Sequence, residues 1–372
     1  MTITSQEKIY RVFDCVLPND RSEIPVYPFM ITFPVRFAGM SQSEVLFDPI
    51  KLTQCYDYFI EKIGKPDAAN MVCLGDIALT YPMKASLPGR DLPDDEPYQM
   101  LETENMTIED YKIIIKDGWD PWYFGLLMSL HKPPMTDVNQ LFGFFGEMGQ
   151  RMGPLVEYCM KKDILPFVGA VVFPAYDMLS MIRSFDKFIF DLYDEPDLVK
   201  KALEVVTDTQ IAATLDQTAN SPNKRAGLFA MRSDCDVSSP EIFDEFSFPY
   251  LKKEILAFHE AGLQCVLHCD SNWLPILDRF LTLPKHSVHF EFDGVTDIFK
   301  AAQLLDGWHS FRGDVPATMF AYGTADDVSD YCEKLITEIG MKTPGFMLSS
   351  GCEVPINAKP ENVKAMMDSV KK

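Results

Sequence analysis

The stretch "SSPEIFDEFSFPYLKKEILAFHEAGLQCVLHCDSNW", residues 238–273, holds a helix, a stop and a strand in succession. Ser239 is placed to accept from the free N–H groups of a helix start, and Pro240 suits the first helical position. Glu241 lies where the helix dipole favours an anion, and Gly262 supplies a residue that ends such a helix. The short apolar run "QCVLHCD", residues 264–270, then reads as a strand.

This unit repeats. From about residue 164 onward the runs "PFVGAVVF", "AGLFAM", "QCVLHCD", "SVHFEF", "HSFRGDV" and "GFMLSSG" alternate with longer amphipathic stretches. Thr324 caps "TADDVSDYCEKLITEIG", whose Val328, Tyr331, Cys332, Leu335 and Ile339 share one face. The last helix covers "KPENVKAMMDSVKK". Strands alternating with helices predict an α/β fold with a parallel sheet. The expected architecture is a TIM (β/α)8 barrel with an N-terminal elaboration. A doubly wound open sheet is the alternative, and it loses ground because no glycine-rich phosphate loop stands between a strand and a helix.

The expected domain is one barrel over residues 1–372, with roughly 1–100 including an N-terminal extension and long loops. In that half, "VYPFMITF", "MVCLGD" and "YQMLETE" are candidate strands. Residues 84–97, rich in Pro and acid, read as a long loop, and "WDPWYFGLLMSLHKPP" reads as an irregular excursion.

The net charge is -21, from 55 acidic against 34 basic residues. Phosphate backbones require basic patches, so nucleic acid is excluded as a partner, and anionic membranes are disfavoured. The most apolar run is broken by Pro166 and Pro174 and is too short to span a bilayer. Nine cysteines without paired spacing suit a reducing, cytoplasmic setting.

Catalytic groups of a barrel stand at the C-terminal ends of its strands. Three late strands end in suitable residues. His268 and Asp270 close one, Glu291 and His289 lie on the next, and Cys352 follows the last, with Asp314 on the strand before it. Alternation along a strand gives His268 and Asp270 one face and sends Cys269 to the other. His268, Asp270 and Cys352 then form a three-ligand set, the form of a catalytic zinc site. The competing interpretation is a core histidine, a turn-capping aspartate and an inert buried thiol.

The segments "GDVPATMF", "GFMLSSGCEVP" and "KPENVKAMMDSV", with "SSPEIFDEFSFPYLKKEI", resemble the uroporphyrinogen decarboxylase superfamily. "YQMLETENMTIEDYKIIIKDGW" is similar to its corrinoid-linked methyltransferase branch. The decarboxylases carry an RxxGR-type clamp; here "PVRFAGMS" offers only Arg36. The thiol-methylating members have His-x-Cys and a distant second Cys, which map onto His268, Asp270 and Cys352. Asp270 in place of a thiolate hardens the site toward oxygen ligands.

The resemblance therefore implies a zinc enzyme that moves a methyl group from a small aromatic methyl ether to the Co(I) corrinoid of a separate partner protein. Transfer from a methylated corrinoid to a thiol is the alternative. A decarboxylase-like enzyme and a metal-free binding protein stand behind both. None of the six histidines fits the DxHxxG pattern of corrinoid carriers, so the cobalamin is expected on another, corrinoid-binding protein. Glu291 is read as a fourth ligand displaced by substrate, as an acid, or as an ion-pair partner, and Asp314 as a further catalytic group. Asp234, Glu102 and Trp122 are candidate substrate contacts. For Asp234 and Asp236, capping of the next helix competes with that role.

Overall fold

The computed structural model of the chain describes residues 3–371. In chain order its strands are β1 (Val26–Tyr27), β2 (Ala68–Ala69), β3 (Lys84–Ser86), β4 (Gln99–Leu101), β5 (Leu165–Pro166), β6 (Ala170–Val172), β7 (Arg225–Ala230), β8 (Gln264–Cys269), β9 (Val288–Phe292), β10 (Ser310–Val315) and β11 (Phe346–Ser350). The central sheet runs β1-β11-β10-β9-β8-β7-β6, and every pairing in it is parallel. Strands β2 and β5 form a separate parallel pair, and β5 leads directly into β6. The Asp67 N–H donates to the Val26 carbonyl at 2.9 Å, tying β2 to β1. The pair and that bond complete a (β/α)8 ring in which β5 and β6 share one position.

Each apolar run from residue 164 onward became a strand of this ring. β9, β10 and β11 are buried along their whole length, as strands between a barrel interior and a helical layer must be. The helices start as their sequences dictate. Ser239 accepts from the Ile242 N–H at 3.3 Å, and Thr324 forms a reciprocal capping box with Asp327. Gly262 has φ +77, the left-handed conformation that favours glycine just past a helix end.

One end of the ring is closed by the helix Ser5–Phe13. Its Ile9, Val12 and Phe13 pack with Tyr27, Phe167, Val266 and Met347. Of these partners Val266 and Met347 lie in the first half of their strands, so the opposite, C-terminal mouth is left for chemistry.

The first half departs from expectation. The barrel begins at Val26, and "MVCLGD" is not a strand: the real one, β2, lies just before it, and Leu74–Thr80 is a helix. β3 and β4 form an antiparallel hairpin outside the ring: β3 opens the span read as a loop, and β4 lies in the candidate strand "YQMLETE". "WDPWYF" opens the helix Trp119–Leu130 rather than a loop. That helix is apolar on nearly all sides, so it shows no helical period to read. Among the described residues, no helix is long and apolar enough to cross a membrane.

The helix Phe248–Glu260 carries a fully buried Glu254, and neither of its carboxyl oxygens has a hydrogen-bond partner. Burial, then the charge of Asp177, pushes its pKa well above the usual carboxylate range. A raised folded-state pKa gives stability that is present below the unfolded value of about 4.3 and lost as pH rises through the folded one. Glu254→Gln, which cannot ionise, is expected to raise Tm by a few degrees at about pH 8 and by much less at about pH 5. Thermal melts of both proteins at the two pH values check this.

Candidate metal centre

Strand register assembles the site. At one level of the sheet, Phe229 on β7 stands beside His268 on β8, His268 beside Glu291 on β9, and Glu291 beside Arg312 on β10. Parallel neighbours at equal height bring their side chains into contact. The result is a buried polar chain across the barrel interior. His268 Nδ1 meets Glu291 Oε2 at 2.9 Å, and Arg312 Nε donates to Glu291 Oε1 at 2.6 Å. Arg312 Nη1 donates to Ser349 Oγ at 2.6 Å and to the Ser350 carbonyl at 2.9 Å. The guanidinium also lies over the Tyr27 ring, 4.9 Å from its centroid.

With Nδ1 taken by Glu291, His268 presents Nε2 to the mouth. Asp270 Oδ1 lies 3.2 Å from Nε2, and Cys352 Sγ lies 3.9 Å from it. One donor atom from each of His268, Asp270 and Cys352 falls within 4.8 Å of the others. The donors fit a tetrahedral zinc: an imidazole, a carboxylate and a thiol, with the histidine oriented from behind by a carboxylate. Cys269 is fully buried on the opposite face, its thiol toward the Leu267 carbonyl, within the same core as Cys265 and Leu267.

The electrostatics agree with a cation here. Burial opposes charge on His268, but Asp270, Cys352 and Glu291 outweigh it and hold its pKa well above the ordinary value. A metal ion would replace that proton. Burial likewise opposes charge on Glu291, but Arg312 and His268 keep the carboxyl well below its usual range. Glu291→Gln keeps the shape and removes the charge that orients His268. Zinc affinity is expected to fall about 10–100-fold, read by chelator competition.

The other sequence candidates are placed as follows. Both oxygens of Glu291 are engaged by His268 and Arg312, so the ion-pair role is the one the structure holds. Asp314 is not brought to the cluster of His268, Asp270 and Cys352. Gly313, at φ +151, breaks the strand alternation, and Asp314 turns to the Tyr331 hydroxyl at 2.7 Å. Burial pushes its pKa up to about 6. Asp234 is buried and caps its own turn, accepting from the Asp236 N–H at 2.7 Å, while its Oδ2 has no partner. Glu102 is tied to the Phe185 N–H at 2.6 Å and to Arg232 at 3.1 Å. Trp122 stacks on Trp119 and donates to Asp110 at 2.9 Å, which anchors it between helices. His289 belongs to the plugged end, bonded to Ser310 and packed on Phe13 and Phe167.

The model of the family described as "Uroporphyrinogen decarboxylase (URO-D)" matches residues 150–372, more than half of the chain. The chain belongs to the uroporphyrinogen decarboxylase family. Among curated relatives of this family member, a "Methylcobamide:CoM methyltransferase MtbA" from Methanosarcina acetivorans is 23% identical over 64% of this chain and 68% of its own. A "Uroporphyrinogen decarboxylase" from Anaeromyxobacter dehalogenans is 26% identical over 56% of this chain and 59% of its own. A solved "methyltransferase from Methanosarcina mazei" superposes with TM-score 0.71 at 14% identity, covering 100% of this chain and 99% of the other, and so shares the fold.

Sequence reasoning missed Arg312, the cation that neutralises Glu291. Its signal was there: a charged residue inside the apolar run "HSFRGDV", where a buried arginine requires an anion. It also missed the aromatic wall. The Phe229 ring lies 5.1 Å from that of His268, and Phe29 lies 6.2 Å from it.

Proposed function

We propose that this family member is a zinc-dependent methyltransferase that moves a methyl group from an aryl methyl ether to the Co(I) corrinoid of a separate partner protein. The observation that carries the reading is the clustered His268, Asp270 and Cys352, with a carboxylate where the thiol-methylating pattern has a second thiolate. These three residues would hold the zinc, which when bound supplies a Lewis acid toward an ether oxygen. An oxygen donor among the ligands favours an oxygen substrate over a thiolate. The methyl carbon passes to the acceptor's cobalt, and the C–O bonding pair stays on oxygen as an aryl oxide.

The protein's own part is orientation and exclusion of water. Glu291 and Arg312 fix the His268 ring from behind. Phe229 and Phe29 flank that ring and offer a flat apolar wall to an aromatic methyl donor. Against the decarboxylase reading, Arg36 is tied in a surface ion pair with Asp95 at 3.2 Å, and buried Arg312 is neutralised by Glu291. No cationic clamp for a polycarboxylate is built from them.

The second reading, transfer from a methylated corrinoid to a thiol, is favoured by the name of the MtbA relative. One experiment separates the two. The zinc-loaded protein is mixed with cob(I)alamin and a panel of methoxyphenols, and separately with methylcobalamin and coenzyme M, while cobalamin absorbance is followed. Methylation of cob(I)alamin by an ether supports the proposal. Thiol methylation with no transfer from any ether overturns it.

A further inference from the structure

Tyr81 directly follows the helix Leu74–Thr80, in a segment that the sequence left without a role. Its ring packs edge-on against Phe173 at 4.8 Å, Phe173 lies 6.0 Å from Phe229, and Phe229 lies 5.1 Å from His268. An arc of aromatic rings thus leads from Tyr81 to the ligand histidine. The Tyr81 hydroxyl meets Met231 Sδ at 3.8 Å, just past the C-terminal end of β7. A thioether is a weak acceptor, so this donor is not committed to a strong one. Two acidic groups near the ligands are already engaged: Glu291 by His268 and Arg312, and Glu353 by the Thr32 N–H at 2.7 Å.

We propose that Tyr81 donates a hydrogen bond to the oxygen of the methyl donor as that oxygen becomes an aryl oxide. This role rests on the ether reading above. The hydroxyl stays protonated: burial, then the charges of Tyr98, Asp270 and Cys352, pushes its pKa up. At the outer end of the aromatic arc, such a donor would meet charge that develops only as the C–O bond breaks. Donors of this kind stabilise the transition state more than the bound substrate. No proton needs to leave Tyr81 for the step to balance.

Tyr81→Phe keeps the ring on Phe173 and removes only the hydroxyl. The assay uses cob(I)alamin as acceptor and methoxybenzenes whose parent phenols span a range of acidity. The expected result is a kcat loss of about 10–100-fold, with KM changed less than about threefold. Zinc content and Tm are expected to match the wild type. The loss should grow as the parent phenol becomes less acidic, because a poorer leaving group depends more on the donated bond. A purely structural role would slow every ether equally. Tyr81→Phe activity within about twofold of an active wild type, or an equal loss on all ethers, overturns the role of Tyr81 alone. A wild type that demethylates none of the ethers overturns the underlying reading and this role with it.

Discussion

His268→Ala is expected to lose stoichiometric zinc and to slow methyl transfer on the order of 10³-fold or more. Removing one preorganised electrostatic group from a site commonly costs about 10²–10³, and on the proposed zinc reading the change also removes a ligand. His268 is the member that both Asp270 and Cys352 approach, so its loss leaves no shared centre. The fold should survive, because Glu291 keeps its ion pair with Arg312. Metal analysis, a thermal melt and the cob(I)alamin assay on one preparation check all three points. Full zinc in His268→Ala would remove the metal site from these residues.

Arg312→Met is expected to cost about 3–5 kcal/mol of stability, a Tm drop of about 4–6 °C for a chain of this length. The reason is what it leaves behind. Arg312 is 1% exposed and Glu291 is 3% exposed, so the mutation strands a carboxylate in the barrel interior with only His268 opposite it. The double variant Arg312→Met with Glu291→Gln removes both charges and should recover part of the loss. A double-mutant cycle in denaturant measures that coupling. Equal destabilisation in the single and double variants would mean that the methionine fails through packing and not through charge.

The second half of the barrel was legible because its strands are five or six residues long and are bounded by capped helices. The first half was not, for a physical reason. β1 and β2 are two residues each, too short to show a period, and their positions are fixed by neighbours rather than by their own composition. The site divides in the same way. The i, i+2 relation that joins His268 to Asp270 is a property of any strand. The same rule places Arg312 and Asp314 together, and there it fails, because Gly313 takes a conformation outside the pleat and turns Asp314 toward the helix Ala325–Leu335.

By itself the sequence determined the alternation of strands and helices, the burial of Cys269, and the shared face of His268 and Asp270. All of these follow from local period and from hydrophobic burial. Tertiary structure decided the rest. β9 and β10 stand between β8 and β11 in the sheet, yet Cys352 reaches His268 because the ring curves the ends of those strands toward one mouth. The partner of Glu291 was settled by the register of the neighbouring strands β9 and β10, and the position of Tyr81 by how its loop packs on Phe173 across a long stretch of chain.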